Sequence, residues 1–359
     1  MKESIDILGR DEAVALSLRE LYHAWGYAPY KMSKFEPYDF YAKNRSFVSG
    51  DNILTFTDTN GALMALKPDV TLSIVKNYRG GQRKVYYNES VYRDTGASHE
   101  FQEILQTGLE CIGSIDLYTQ AEVLTLAAES LRRISQEYIL DVASVAVTSA
   151  LTAATGAGEE ENRQLLGFVR EKNAHGIRSL CLARGFSEEA ARMWQALATL
   201  YGPARTLLPE LEALCFDGAT LAACRQLGEL CRVLEENGTA MNVDFSIVGG
   251  LGYYNGVVFK GYVPGVPAAI LSGGRYDDLV RRLGKDAGAI GFAVYLDLLR
   301  LLPAEKTKPY DADVLLSYGE DVPAGVVLDK ARELRARGLT VRVQPNGGDE
   351  GSFGQVIQL

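Results

Sequence analysis

The chain has 359 residues, a formal net charge of -9, and 47% hydrophobic against 23% charged residues, which is typical of a globular protein with two or three domains. The acidic balance argues against a surface that grips nucleic acid throughout, because phosphate contacts need clustered lysine and arginine. No run approaches the roughly 18 apolar residues of a membrane span, and the start lacks a signal-peptide pattern, so we expect a cytoplasmic protein with no membrane contact.

The first 135 residues predict an alternation of helices and paired strands. Apolar residues recur at helical spacing in some stretches and alternate in others, and an Asn-Gly pair supplies the positive φ angles of a short reversal. Because short reversals join the strands, we expect an antiparallel sheet. The predicted elements are a helix over residues 11–25, a hairpin at Asn60-Gly61, a helix over 70–77, strands over 84–92 and 102–112, and a helix over 117–135 with Asp116 as its N-cap.

Residues 156–238 have a different composition, rich in alanine, leucine, glutamate and arginine, and they predict a helical insertion without strands. Four of the five cysteines lie here among apolar residues at helical spacing, which favours packing over redox chemistry. None forms a CxxC pair or stands near a histidine at ligand spacing. We therefore expect reduced structural thiols, no metal site and no cofactor.

Strand patterns return over residues 241–248 and 253–262, and a helix is predicted over 291–302. Between them, the stretch SGGRYDD, residues 272–278, ends an apolar run and could cradle an anion or form a tight turn. We interpret its glycines as sites of close backbone approach. Arg275 is interpreted as an ion-pair partner of Asp277 or of another nearby carboxylate.

The predicted domain boundary follows residue 303. Residues 304–309 form a polar linker, and the remainder to residue 359 predicts a small β-α-β unit. Its elements, followed by a glycine-rich tail that we expect to be mobile, are a strand over 313–316, a helix over 323–337, a strand over 339–343, and the tail over 346–355.

The order of these segments resembles the catalytic core of class II histidyl-tRNA synthetases over nearly all of residues 1–303. The resemblance implies an α+β fold, with a class II synthetase-like antiparallel sheet core, the helical insertion, and a short C-terminal α/β unit similar to part of an anticodon-binding domain. The stretches that carry it are residues 26–36, LKPDVT at 66–71, YRD at 92–94 with QTGLE at 106–110, GGLGYYNG at 249–256, and SGGRYDD continued through AIGFA at 289–293.

The departures from the synthetase pattern concern the nucleotide. Leu298 stands where the third class II motif has an arginine for phosphates, and Gly249 replaces the first arginine of the family's R-G-L-D-Y-Y. Ser33 replaces the first motif's proline, and the loop over 94–100 lacks further arginines. Each lost phosphate donor typically costs a factor of about a hundred to a thousand in rate, so we predict no catalytic residues and no working adenylation.

The amino-acid end of the pattern is better preserved than the nucleotide end. By resemblance Asp69 would pair with an α-ammonium group with Thr71 in support, and Gln106 and Glu110 share one strand face. A carboxylate such as Glu110 is a natural acceptor for an imidazole N–H. Tyr253 and Tyr254 are adjacent in a predicted strand, so we expect one of them to reach the ligand and the other to point to the opposite face of the strand. The predicted histidine-binding residues are Asp69, Thr71, Gln106, Glu110, Tyr253 and Tyr254, with Arg93 as a residual nucleotide or anion contact.

A core with an amino-acid pocket and without nucleotide arginines resembles the regulatory subunits of ATP phosphoribosyltransferase, synthetase paralogues in histidine biosynthesis. That resemblance implies a non-catalytic homodimer, formed through the class II core, which joins a short-form catalytic subunit in a hetero-octamer and confers allosteric inhibition by histidine. The alternative is a functional or degenerate histidyl-tRNA synthetase, and a sensor of uncharged tRNA is a further one. The regulatory interpretation predicts little tRNA affinity, whereas a sensor would bind tRNA with strong salt dependence.

Overall fold

A computed structural model describes residues 8–47, 53–94, 100–248, 253–303, 310–347 and 351–359. The chain divides into two compact units, Met1–Leu301 and Leu302–Leu359. Gly249 and the polar linker over 304–309 lie outside the described residues, as does most of the 94–100 loop. Within the described ranges, none of the helices has the length and apolar character needed to cross a membrane.

The first unit contains twelve strands and eleven α-helices among its described residues. The N-terminal elements are α1 (Arg10–Ala24), β1 (Ala28–Pro29), β2 (Phe35–Pro37), α2 (Tyr38–Lys43), β3 (Thr55–Thr57), β4 (Leu63–Leu66), α3 (Val70–Lys76), β5 (Arg83–Asp94), β6 (Phe101–Gly113), α4 (Leu117–Ile134), β7 (Ile139–Ser144) and α5 (Val145–Thr155). The elements that follow are α6 (Glu159–Arg170), α7 (Ala174–Arg184), α8 (Glu188–Thr199), β8 (Tyr201–Pro203), α9 (Ala204–Leu214), α10 (Gly218–Glu236), β9 (Asn242–Asp244), β10 (Val257–Tyr262), β11 (Leu271–Arg275), α11 (Asp277–Arg282) and β12 (Gly288–Tyr295).

Nine strands form one sheet in the order β1-β5-β6-β12-β11-β10-β7-β9-β8. The neighbouring pairs from β5 through to β7 are antiparallel, as the sequence predicts, and within the described part of this sheet only the β1–β5 and β7–β9 pairs run parallel. A separate three-stranded sheet has the order β2-β4-β3, and it contains the predicted Asn-Gly hairpin.

One face of the large sheet packs against helices α1 and α4. The ring of Tyr22 on α1 lies 6.2 Å from that of Tyr86 and 5.9 Å from that of Phe292, and its hydroxyl is 2.9 Å from Ser130 Oγ on α4. Phe292 in turn contacts Phe259 at a ring separation of 6.2 Å. Because side chains alternate along a strand, residues one position away in sequence face the opposite side of the sheet.

The helical character predicted for residues 156–238 is confirmed in most of their length, since α6 to α10 lie there, but the short strand β8 lies among these helices and was not predicted. Three residues are too few for a recognisable strand pattern. Strand β7 and helix α5, which lead into the insertion, were also missed. Cys181, Cys224 and Cys231 are buried in its helices, as the packing interpretation expects.

The predicted helix over 291–302 is wrong in its first half. Gly291 to Tyr295 belong to strand β12, and a 3-10 turn over Leu296–Leu301 follows. The run is apolar almost throughout, so it carries little periodicity to separate a buried strand from a buried helix. Pairing with β6 and β11 on both sides decides in favour of the strand.

The second unit is a three-stranded parallel sheet with one helix. Its elements are β13 (Ala312–Tyr318), α12 (Ala324–Ala336), β14 (Val341–Pro345) and β15 (Phe353–Gln358), and the sheet order is β14-β13-β15. The predicted β-α-β unit is confirmed. The expectation of a mobile tail is wrong for β15, because residues 353–358 pair with β13. The glycines of this segment favoured a loop in the sequence analysis, and the strand that pairs with it lies about forty residues earlier in the chain.

Candidate functional site

A cavity of about 350 Å³ opens on the sheet face opposite α1 and α4. This volume lies near the lower end of the range of roughly 300–1,000 Å³ found for small-molecule sites. Strand register explains the space, because Gly274 and Gly291 stand side by side between Val258 and Glu110 in one row across the sheet. All seven residues that the sequence analysis predicts for a ligand site line this cavity: Asp69, Thr71, Arg93, Gln106, Glu110, Tyr253 and Tyr254.

Glu110 lies at the floor of the cavity and is 2% exposed. Its Oε1 accepts a hydrogen bond from Thr71 Oγ1 at 2.7 Å, and its Oε2 accepts one from the hydroxyl of Tyr276. Burial raises the pKa of Glu110 from 4.5 to about 8, although the two hydrogen bonds oppose that change. A pKa in this range favours the protonated carboxyl near neutral pH, and the two hydrogen bonds hold the group in a fixed orientation.

Asp69 begins helix α3 as its N-cap, with Oδ1 accepting from the Leu72 backbone N–H at 2.8 Å. Its Oδ2 lies 3.5 Å from Arg93 Nη2, and Arg93 Nε donates to the Pro68 carbonyl at 2.7 Å. Burial raises the pKa of Asp69, while the Arg93 guanidinium lowers it. Part of the hydrogen-bonding capacity of Arg93 is thus used within the protein and is not available to a bound anion.

Gln106 and Glu110 lie on the same face of β6, as the period of two predicts. Gln106 is 3% exposed, and its Nε2 has no hydrogen-bond partner among the described residues. A buried amide donor without a partner is unusual in a folded protein and costs about 1–3 kcal/mol. A ligand acceptor in the cavity would satisfy this donor.

The prediction that Tyr253 and Tyr254 point to opposite faces of a strand is wrong. Both residues precede β10, which begins at Val257, and both line the cavity. Their rings are 4.8 Å apart at an interplanar angle of 72°, an edge-to-face contact. Two consecutive aromatic residues predicted a strand by propensity, but the chain is still in a bend at this point.

Tyr276 is a cavity residue that the sequence analysis did not assign. It is 1% exposed, its ring lies 5.8 Å from that of Tyr253, and its hydroxyl orients Glu110. It directly follows Arg275, whose Nε lies 2.9 Å from Asp277 Oδ2 and 3.1 Å from Oδ1. The interpretation of Arg275 as the ion-pair partner of Asp277 is confirmed, so the SGGRYDD stretch shapes the site and positions a tyrosine, with its arginine committed to the pair.

The glycines of that stretch allow close packing. A Cβ on Gly274 would lie 2.7 Å from the Tyr254 ring, and one on Gly273 would lie 2.4 Å from the Gly291 carbonyl oxygen. Both distances are shorter than van der Waals contact allows. The glycines therefore bring neighbouring strands and Tyr254 together, as the sequence interpretation expects.

An antiparallel sheet backed by helices, with a polar cavity on its other face, defines the class of this protein as a class II aminoacyl-tRNA synthetase-like core, and the α+β prediction is confirmed. The family model described as Histidyl-tRNA synthetase matches residues 8–299, so the chain belongs to the histidyl-tRNA synthetase family.

Known relatives refine this placement. The chain is 26% identical over 347 residues to an ATP phosphoribosyltransferase regulatory subunit from Acetivibrio thermocellus, covering 92% of this chain and 82% of that protein. A Bacillus halodurans structure, an ATP phosphoribosyltransferase regulatory subunit/histidyl-tRNA synthetase, aligns with a TM-score of 0.79 at 24% identity, over 97% of this chain and 93% of that one. A chain of the ATP phosphoribosyl transferase (HisG:HisZ) complex from Thermotoga maritima aligns with a TM-score of 0.62 at 19% identity. The alignment covers 80% of this chain and 97% of that one.

Proposed function

We propose that this chain is the regulatory subunit of an ATP phosphoribosyltransferase and that it binds histidine in the cavity. The observation that carries the proposal is the set of amino-acid contacts assembled around Glu110 in the cavity. In contrast, Leu298 stands at the position where the synthetase pattern has a cation for a nucleotide phosphate.

Histidine offers a group for three of the polar side chains of the cavity, Glu110, Asp69 and Gln106. The Glu110 carboxyl can share its proton with an imidazole nitrogen, since its pKa of about 8 is close to the range in which imidazole titrates. Asp69 accepts from the α-ammonium group, and Gln106 donates its free N–H to the ligand. The Tyr253 and Tyr254 rings supply the apolar surface against which the imidazole packs.

The nucleotide end does not support adenylation. Leu298 is half-buried in the 3-10 turn after β12 and carries no charge. Arg93, the other candidate for a phosphate, donates to Pro68 and pairs with Asp69. Since adenylation requires neutralisation of charge at phosphorus, these features favour a protein whose partner carries the catalysis.

The partner that we propose is a short-form ATP phosphoribosyltransferase catalytic subunit. The names of the relatives support this partner, and the alignment with a chain of the HisG:HisZ complex supports a compatible fold. By the same resemblance the chain forms a homodimer within a cytoplasmic hetero-octamer. It would then act at the first step of histidine biosynthesis and confer feedback inhibition by histidine, without a role in tRNA binding.

The direct test is the ATP phosphoribosyltransferase activity of the source organism's catalytic subunit, measured alone, with this chain, and with this chain plus histidine. We expect stimulation by the chain and inhibition by histidine. Glu110→Ala should retain stimulation and lose the inhibition, whereas Glu103→Ala, an exposed carboxylate on the same strand, should behave as wild type. Absence of stimulation would overturn the proposal.

A synthetase would behave differently in a second assay. Histidine-dependent exchange between ATP and pyrophosphate reports adenylation and needs no partner subunit. We expect no exchange above background from the isolated chain. Exchange that Glu110→Ala abolishes would favour the alternative of a functional histidyl-tRNA synthetase.

A further inference from the structure

Strand register places a second row of residues along the cavity wall. Across β10, β11, β12 and β6 this row contains Lys260, Ser272, Ala293 and Gly108. The first three of them line the cavity. The row lies two residues along each strand from the one that contains Glu110. Lys260 and Glu110 therefore approach the same space from β10 and from β6, offset by three strand spacings, about 14 Å, across the sheet and by two residues along the strands.

Lys260 and Arg93 are the cationic side chains that line this cavity in the part of the chain that the structure describes. Arg93 is engaged with Asp69 and Pro68, as described above. The side chain of Lys260 has neither a hydrogen bond nor an ion pair with a described residue. Its register neighbour on β7, Asp141, has a carboxylate, but that carboxylate is bonded to Asn242 Nδ2 at 3.5 Å. Lys260 thus presents an unpaired ammonium group to a half-enclosed space.

The charges of the cavity are therefore separated. Asp69 lies at the start of α3, beside the protonated carboxyl of Glu110 on β6, and the unpaired cation lies on the side formed by β10. A free amino acid carries an ammonium group and a carboxylate. A site with the Asp69 carboxylate at one end and a lysine at the other is complementary to that pair of charges.

We propose that Lys260 binds the α-carboxylate of the ligand and so selects free amino acids over amines of the same side chain. This inference rests on the proposed histidine site, and it adds a specificity-determining residue that no part of the sequence pattern had indicated. The carboxylate accepts from the Lys260 ammonium while the imidazole reaches Glu110. A ligand without the carboxylate leaves the lysine unpaired and adds its own ammonium charge to the cavity.

The test compares L-histidine with histamine, which differs by the carboxylate alone, in calorimetric titrations of the whole chain. Lys260→Met should weaken L-histidine binding by about tenfold to a hundredfold, the usual effect of losing a hydrogen bond to a charged group. It should leave histamine binding unchanged or stronger. Lys260→Arg should restore most of the affinity for L-histidine, and Lys34→Met, an exposed lysine that does not line the cavity, should match wild type for both ligands.

Each other outcome is decisive. Equal weakening of both ligands by Lys260→Met would assign the lysine a structural role and overturn the inference. Unchanged L-histidine affinity would overturn it as well. If the wild-type chain binds neither ligand, the histidine site itself fails, and that result is distinct from a loss confined to the variant.

Discussion

The carboxyl group of Glu110 occupies the space that any side chain on Gly291 would need. A Cβ built on Gly291 lies 1.8 Å from Glu110 Oε2 and 2.4 Å from the Leu109 carbonyl oxygen. The two residues are direct partners across β6 and β12, so neither backbone can retreat without breaking the sheet. The position of the acid in the cavity therefore depends on the absence of a side chain on the neighbouring strand.

Gly291→Ala tests this dependence. The added methyl group must displace Glu110 from its Tyr276 hydrogen bond, so we expect loss of histidine binding together with a destabilisation of about 1–3 kcal/mol. Urea unfolding and calorimetric titration measure the two effects. Gly167→Ala, at a helical glycine in α6 with open space around it, should instead stabilise by about 0.5–1 kcal/mol and leave binding unchanged. A Gly291→Ala protein that binds histidine normally would contradict this account.

Stability should fall as pH rises through neutrality because of Glu110. The folded state keeps the proton up to a pKa of about 8, whereas the unfolded state loses it near 4.5. Between these values the unfolded state binds fewer protons, so the free energy of unfolding decreases as pH increases. Glu110→Gln removes this slope, and between pH 5.5 and 7.5 the difference between wild type and variant should change by on the order of 2–3 kcal/mol.

The measurement is urea unfolding of both proteins at several pH values. Asp141, whose pKa burial raises to about 6, contributes a slope of the same sign in both proteins and cancels in the comparison. Glu103→Gln changes an exposed carboxylate on the same strand and should keep the wild-type slope. Parallel pH profiles for wild type and Glu110→Gln would show that the carboxyl is ionised in the folded state.

The cavity could be predicted in part because some of its residues are related by local periodicity. Gln106 and Glu110 lie four apart on one strand, and a period of two places them on one face whatever the strand pairs with. Asp69 caps a helix whose start is visible in the sequence. Tyr276 and Lys260 lacked such a signal, because they reach the cavity through the pairing of β10 and β11 with strands elsewhere in the chain.

The errors in the predicted secondary structure also arise from pairing between strands that are distant in the chain. The run from Gly291 to Leu301 is apolar in nearly every position, and its first half is a strand only because β6 and β11 flank it. Residues 353–358 pair with β13 despite the glycines before them. In both cases long-range pairing overrides a local preference that is weak. Helices with a cap and a clear apolar stripe, such as α4, were predicted within one residue of their ends.

Asp69→Asn separates the charge of Asp69 from its role as an N-cap. Asparagine can still accept from the Leu72 N–H, so the helix start should be preserved. Loss of the charge should weaken L-histidine binding by about tenfold or more, because the α-ammonium group loses its anionic partner. Imidazole-4-propionate, which lacks the ammonium group, should bind both proteins equally. Titration with the two ligands measures this, and equal losses for both would assign Asp69 a purely structural role.

Gln106→Met should make the unliganded protein more stable and the site weaker. The Gln106 Nε2 is buried without a partner, and methionine has a similar length without the donor. We expect the free energy of unfolding to rise by about 1 kcal/mol, because the desolvation cost of the amide disappears. Histidine affinity should fall, since the ligand loses the donor that its binding satisfies.

Gln102→Met, at an exposed position on the same strand, should change stability by less than about 0.5 kcal/mol and leave binding intact. Urea unfolding with and without histidine measures both quantities. A destabilised Gln106→Met protein with unchanged affinity would mean that the amide has a structural partner and is not reserved for the ligand.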